Sequence, residues 1–344
     1  MNIFLTPELA VYYQQHPLVL IDVGASGGLP DRWKRAATYL HALCFEPDER
    51  AYAQLRRTAN SPSVRYVNHA LHKEKGILDL HLAKQQANSS VFQPNHNLLM
   101  RFPEAERFDI LRTIQVVVDC LDRQLQENGV SDPDFIKADT QGSELFVLQG
   151  GKLALSNTIF GLEVEAEFIP IYRDQPLFAD LDTFLRGFGF HLFDLRPVFW
   201  KRSHGRNVGG PKGQIIYADA LYLRAPEAFV QLLDRMADPE ARKAKLLRAI
   251  SICLLYGYLD YALEILEFAS SVLPEGERRL AEQALTAGRT DRDRIPHFRG
   301  RRRIADIFHF LWRLFDPVQA QPVVQYFQER GWATGLRTLG NSDS

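Results

Sequence analysis

Between residues 18 and 223 short apolar runs alternate with stretches in which apolar side chains recur at helical spacing. A run that is apolar at nearly every residue has no face to offer water. It is satisfied inside a parallel sheet covered by helices on both sides. Six runs meet this description: Leu18–Val23, Ala42–Phe45, Val64–Asn68, Phe135–Ala138, Ile159–Val164 and Phe190–Asp194. Helices are predicted over Glu49–Ala59, over Ser143–Gln149 with its Gly150-Gly151 stop, and over Leu177–Phe188. Gln214–Leu223, reached through the loop from Lys201 to Gly213, reads as a late hairpin strand.

After Pro226 the strand-like runs stop and helical spacing takes over. Ala241–Tyr256, Leu259–Val272 and Ile304–Phe315 are the clearest helices, separated by Pro274 and Pro296. Ile304, Ile307, Phe308, Leu311 and Phe315 share one face. The fold class expected is α/β, a doubly wound, mostly parallel sheet with a late antiparallel strand and a C-terminal α-helical extension. The organisation expected is a helical lead-in over 1–17, a sheet domain over 18–225 and a helical domain over 226–344.

Charge and cysteine content narrow the partners. With 41 Lys+Arg against 42 Asp+Glu, no global field draws the chain to nucleic acid, so no nucleic-acid partner is expected. Cys44, Cys120 and Cys253 are odd in number and far apart, unlike a disulfide framework or a zinc site. A reducing cytoplasm fits them. The first 17 residues lack the apolar core of a signal peptide, and no apolar run approaches the roughly 18 residues of a membrane span.

The sharpest local signal is Val19-Leu-Ile-Asp22-Val-Gly24-Ala25-Ser26-Gly27-Gly28, a strand that runs into a glycine-rich turn. At the carboxyl edge of a sheet such a turn lets the backbone approach a ligand closer than a Cβ permits. The second strand ends at Glu46, 22 residues after Gly24, where a carboxylate can accept hydrogen bonds from two ribose hydroxyls. NAD enzymes share that device. Their G-x-G-x-x-G fingerprint is absent here because Ser26 stands at its middle glycine, which favours S-adenosylmethionine over a pyrophosphate ligand. A structural turn on an unliganded sheet is the plain alternative.

A second signal, Asp134-Phe-Ile-Lys137-Ala-Asp139-Thr140-Gln141-Gly142-Ser143-Glu144, ends another strand in an acid and bends into a helix facing the same crevice. Together Asp22–Gly28, Phe45-Glu46-Pro47 and Ile136–Glu144 resemble, in content and order, the motifs of the FkbM family of methyltransferases. Ala70-Leu71, Asn88-Ser89-Ser90, Glu163-Val164-Glu165, Pro170-Ile171-Tyr172 and Gly187–Phe190 extend the resemblance over roughly residues 16–223. The departure is Ser26, where relatives commonly carry Asn.

The resemblance implies a Rossmann-like class I fold and methyl transfer from S-adenosylmethionine, mostly to hydroxyl oxygens of natural products, sugars and glycolipid-like molecules. It implies a cofactor site at Asp22, Gly24, Ala25, Ser26, Gly28, Glu46, Pro47, Ala70, Asp139 and Gln141. A hydroxyl acceptor needs a base for its proton, and Asp139 is the first candidate, with a cofactor contact or a helix cap as its other readings. Glu163 and Glu165 are read as alternating along the fifth strand, so that one of them faces the crevice. Asp139 with Glu163 would be the pair to hold Mg2+, an arrangement less favoured than a metal-free site.

Tyr172, Arg173, Trp200 and Arg202 fall in loops placed near the acceptor mouth, and His69 is the histidine chosen for test. The seven arginines of Arg289–Arg303 precede an amphipathic helix and suit a solvated face, or else peripheral contact with a membrane or an anionic acceptor. The apolar faces of the tail suit packing on the sheet domain or a homodimer. N-methylation on the same scaffold and a non-catalytic cofactor-binding or assembly module are the alternative functions.

Overall fold

The computed structural model describes residues 2–58, 61–204, 213–287, 299–315 and 323–325. The strands are β1 (Leu18–Val23), β2 (Leu40–Phe45), β3 (Val64–Val67), β4 (Ala70–Leu71), β5 (Gly76–Ala83), β6 (Ile110–Asp119), β7 (Phe135–Ala138), β8 (Gly161–Glu167), β9 (Phe190–Trp200), β10 (Gln214–Arg224) and β11 (Val323–Gln325). The helices are α1 (Ala10–Gln15), α2 (Asp31–Lys34), α3 (Glu49–Thr58), α4 (His96–Leu99), α5 (Leu121–Glu127), α6 (Glu144–Gln149), α7 (Lys152–Asn157), α8 (Phe178–Arg186), α9 (Pro226–Asp234), α10 (Pro239–Tyr256), α11 (Leu259–Phe268), α12 (Glu275–Thr286) and α13 (Arg301–Phe315).

Eight strands form the main sheet in the order β11-β9-β10-β8-β7-β1-β2-β3. β3, β2, β1, β7 and β8 run parallel, and β10 returns antiparallel between β8 and β9. This is the expected Rossmann-like, doubly wound sheet with its late antiparallel strand. The strand order reverses between β1 and β7, and the crevice above that point is where such sheets receive ligands.

β1 and β7 were predicted to the residue. Others extend further: β9 continues from Asp194 to Trp200, and β8 starts at Gly161 and continues to Glu167. Their outer halves carry charged residues, which hide the apolar pattern. A three-stranded sheet, β4-β6-β5, was not predicted. It leaves Ile77, Leu111 and Val117 exposed, so its strands lack the burial pattern that marks the others.

Two cores flank the main sheet. On one face Leu43, Ile136, Leu162 and Val164 pack against Leu121, Val147, Leu155 and Leu185 from α5–α8. On the other, Leu18, Leu20, Ala42 and Phe135 share a core with Tyr13 of α1 and with α9–α12, where Leu247, Ile250, Cys253 and Tyr256 of α10 are all buried. The connection from β1 to β2 carries the four-residue α2 and a 3-10 turn over Ala37–Tyr39, too short to cover that face. α10 covers it instead. The rings of Phe135, Trp33 of α2 and Tyr256 of α10 form a mutually packed trio, Phe135 lying 5.1 Å from each of the others and those two 6.4 Å apart.

α10 starts on Asp238, whose side chain accepts the Glu240 N–H, with Pro239 at its first position, and it ends at Gly257 in the left-handed region. It also brings charge into the core. The fully buried Lys245 ammonium donates to Asp132 Oδ1 (2.7 Å), the Pro133 carbonyl (2.9 Å) and Asp134 Oδ1 (2.8 Å). Asp134 Oδ2 in turn accepts the Val19 N–H at 2.8 Å, so the lysine is tied through one carboxylate to the start of β1. Arg248 pairs with Asp132 and lies 3.1 Å from Asp134.

On α13, Ile304, Ile307, Phe308 and Leu311 are exposed. Residues 289–298 of the arginine stretch and 205–212 of the loop before β10 lie outside the described residues. Among the described residues no helix is long and apolar enough to cross a membrane.

Candidate active site

Local geometry at the end of β1 is fixed by one glycine. Gly24 has φ +82°, and both its N–H and that of Ala25 donate to the Phe45 carbonyl at the end of β2 (3.0 and 3.1 Å). A Cβ built on Gly24 would lie 1.8 Å from the Asp139 carbonyl oxygen, so the turn meets the tip of β7 backbone to backbone. The three strands at the switch point therefore converge on one edge. Above them opens a cavity of about 410 Å³, within the size range of small-molecule sites.

The cavity follows the strand tips. Gly24, Ser26, Glu46, Pro47 and Ala70 line it near β1 and β2, Asp139 and Gln141 at β7, Glu165 at β8, and Tyr217 and Trp200 at β10 and β9. From β2 to β9 there are five strand spacings in this order, which at 4.7–4.9 Å each is roughly 24 Å. A nucleoside at one end and an acceptor at the other can thus meet above β7.

Glu46 is 5% exposed, and its Oε1 accepts the Asp48 N–H at 2.8 Å. Burial pushes its carboxyl up to about 7. Apolar Phe45, Leu71 and Leu80 line the cavity near it. This donor set fits an adenosine: a carboxylate for a hydroxyl pair, an apolar slot for a base, and a turn whose glycine leaves room. At the centre, Gln141 occupies a left-handed conformation, φ +58°, held by four partners. Its Nε2 donates to Asp139 Oδ1 (3.0 Å) and Glu165 Oε2 (2.6 Å), its carbonyl accepts from Ser90 Oγ (2.7 Å), and the Tyr172 hydroxyl lies 2.9 Å from its Oε1. The strain of that backbone persists because the contacts over-determine it.

Several residues singled out from the sequence lie elsewhere. Asp22 is fully buried beneath the floor, 3.5 Å from Lys137 Nζ, because it shares the inward face of β1 with Leu18 and Leu20. Burial raises its carboxyl, with Lys137 opposing. Ala25 is buried in the core under the turn, and Gly28 lies beside Leu55 and Tyr66, away from the cavity lining. Tyr172 is buried behind the lining, where its hydroxyl bonds Gln141 Oε1 and the Asn88 carbonyl (2.9 and 3.0 Å). Arg173 and Arg202 are exposed and outside the lining, Arg202 bonding Gln214 and stacking on Phe102 at 4.4 Å. Trp200 does line the cavity, as does His69, whose Nε2 is buried without a partner among the described residues.

The reading of Glu163 and Glu165 needs correction. Residues two apart in a strand share a face, and these two do; what separates them is depth. Glu165 is one pleat nearer the carboxyl edge and reaches the cavity, whereas Glu163 accepts the Tyr256 hydroxyl at 2.7 Å under α10. Among the described residues, carboxylate oxygens of Asp139, Glu144 and Glu165 lie within 4.8 Å of one another, a trio that contains Asp139 without Glu163. Glu144 is committed to the Thr140 and Gly142 N–H groups at 2.5 and 3.0 Å. Glu165 is raised well above the ordinary carboxyl range by burial and then by Asp139. Arg107, Phe108 and Tyr217 also line the cavity and were missed, because nothing in their local sequence marks them; the 3-10 turn Ala105–Phe108 ahead of β6 brings the first two and β10 the third, from two stretches far apart in the chain.

The sequence profile described as the methyltransferase FkbM domain matches residues 22–192. The 2-O-methyltransferase NoeI of Sinorhizobium fredii (strain NBRC 101917 / NGR234) is 30% identical over 174 residues, 48% of this chain and 70% of that protein. Among solved structures, the methyltransferase FkbM from Methylobacillus flagellatus KT is 17% identical with a TM-score of 0.35, the match covering 60% of this chain and 43% of that one. The magnesium protoporphyrin IX methyltransferase (ChlM) from Synechocystis PCC 6803 is 9% identical with a TM-score of 0.32, over 63% and 77% of the two chains.

Proposed function

Because the chain belongs to the FkbM family of methyltransferases, we propose that it transfers the methyl group of S-adenosylmethionine to a hydroxyl on a saccharide, glycolipid or natural-product acceptor. The observation that carries this reading is the joining of Gly24, Glu46 and Asp139 in one cavity at the switch point of the sheet. The name of the 2-O-methyltransferase relative favours oxygen as the methylated atom.

When bound, S-adenosylmethionine supplies an electrophilic methyl group. Glu46 holds the ribose hydroxyls, and Phe45, Leu71 and Leu80 exclude water around the base. The acceptor would lie toward β8–β9, where Asp139, which borders the cavity, is placed to take the proton of its hydroxyl as the methyl group passes from sulfur to oxygen. Positioning of this kind is worth up to about 7–11 kcal/mol, and a placed base about 10²–10⁴-fold. Asp139→Asn is therefore expected to lower kcat by about 10²–10⁴-fold with little change in cofactor affinity. Full activity in the presence of EDTA would match the metal-free reading, and loss of activity restored by Mg2+ would overturn it.

Calorimetry should find binding of S-adenosylmethionine and none of NAD. Glu46→Gln removes charge-assisted hydrogen bonds worth about 1.5–3 kcal/mol, so affinity is expected to fall about 10- to 150-fold. A ribose that donates to Glu46 favours its ionised form, and the unliganded carboxyl titrates near 7. Affinity should thus rise with pH up to about 7 and then level off, with a flat profile in Glu46→Gln. Stability moves the other way: the native state binds the Glu46 proton more tightly than the unfolded chain, so this group's contribution declines as pH rises from about 4.5 to 7. Equal affinities of the two proteins at all pH values would remove Glu46 from the site.

A further inference from the structure

We propose that the β8–β9 end of the cavity is a subsite for an anionic oxygen group on the acceptor, a carboxylate or a phosphate, held by Arg107 against the face of Trp200. The inference rests on the functional reading above only in calling that molecule the acceptor.

Both residues line the cavity, and they face each other: the guanidinium carbon of Arg107 is 4.6 Å from the Trp200 ring centroid and 5.1 Å from that of Phe108. Contact with both rings confines the guanidinium, whose forked N–H donors have the geometry that matches carboxylate and phosphate oxygens. The protein does not use those donors up. Among the described residues Arg107 Nε is buried with no hydrogen-bond partner, and the nearest carboxylate, Glu104, stands 4.0 Å from Nη1 on a side chain 57% exposed. Trp200 is 3% exposed, and its indole N–H is likewise buried without a partner among the described residues.

Two orphaned donors on adjacent lining residues are unusual in a folded chain, where buried polar groups are nearly always paired. A ligand oxygen would pair them. Burial also pulls the Arg107 guanidinium below its ordinary value, consistent with a cation short of a counter-charge. Away from this end the cavity has the opposite character, since Glu46, Asp48 and Asp139 line it, and Glu165 at β8 marks the border. An anionic group is repelled there and finds its cation only at this end. Ile171, Phe108 and Tyr217 add an apolar wall against which a sugar or other ring can lie.

The test needs no knowledge of the natural acceptor. In the cofactor-free protein labelled with 15N, the Trp200 indole N–H, assigned by its loss in Trp200→Phe, is followed during titration with D-glucuronate, glucose 6-phosphate and glucose. The expected result is saturable displacement by one or both anions, with the stronger of the two identifying carboxylate or phosphate as the group recognised. Glucose should bind at least tenfold more weakly. Arg107→Gln should abolish the preference, and Arg107→Lys, which keeps the charge and loses the fork, should retain part of it. No displacement by either anion, equal displacement by glucose, or an unchanged response in Arg107→Gln would overturn the proposal. Calorimetry with S-adenosylmethionine separates the two readings. Normal cofactor binding without an anion response removes the subsite alone, whereas an anion response without cofactor binding removes the methyltransferase reading alone.

Discussion

Lys245→Met is expected to lower the unfolding free energy by about 3–5 kcal/mol, the typical cost of removing one partner from a buried ion pair. The substitution leaves Asp134 inside the core with the Val19 N–H and Arg248 for company, and it leaves Asp132 and the Pro133 carbonyl without the ammonium. Urea denaturation followed by circular dichroism checks the value. Adding Asp134→Asn should recover part of the loss, because the uncompensated charge is then gone; a simple sum of the two single losses would show that the pair is not coupled. Removing residues 226–344 should be worse still. It strips α9–α12 from the face of β1, β2 and β7 that α2 is too short to cover, and the expected product is an unfolded or aggregated chain.

Gly24→Ala is expected to cost about 2–5 kcal/mol and to lower kcat/KM by about 10²-fold or more. Its left-handed backbone accounts for about 1–2 kcal/mol. The remainder comes from overpacking, typically about 1–3 kcal/mol, since the new methyl starts 1.8 Å from the Asp139 carbonyl and one strand tip must move. The activity loss follows because displacement by an ångström at a reacting centre is worth that much. Gly27→Ala is the control. Nothing lies within 4 Å of its Cβ, and stability should change by no more than about 0.5 kcal/mol. Comparable losses in the two variants would show that the turn's sequence, and not its contact with β7, is what matters.

The fold was legible where burial forces the pattern. β1 and β7, enclosed on both faces, show apolar runs with sharp ends, and their boundaries read directly from sequence. β5 and β6 do not, because half of each faces water. The site was legible at Gly24, Glu46 and Asp139 for a similar reason: each stands where a strand ends, and strand ends at the switch point share one edge. Asp22 belongs to the same motif, yet its parity along β1 turns it into the core under the floor. Arg107 had no such marker: it lies on the turn Ala105–Phe108, and its meeting with Trp200, which the sequence placed near the acceptor mouth, depends on tertiary packing and not on anything local. Three of the tail's helices, α10, α11 and α13, were evident from periodicity and α9 and α12 were not named, and nothing in the tail announced that α10 would take the layer α2 leaves open.

That last arrangement bears on how the chain is made. The ribosome releases β1, β2 and β7 long before α10, so most of the polypeptide emerges while one apolar side of its sheet has no cover. Completion requires contacts spanning more than two hundred residues, such as Tyr13 with Leu247, and contacts of that span form slowly. Until then the nascent chain exposes the kind of surface that chaperones bind and that misassembles when they are scarce. Yield in a heterologous host should therefore respond to slower synthesis or extra chaperone more than to changes in the pocket.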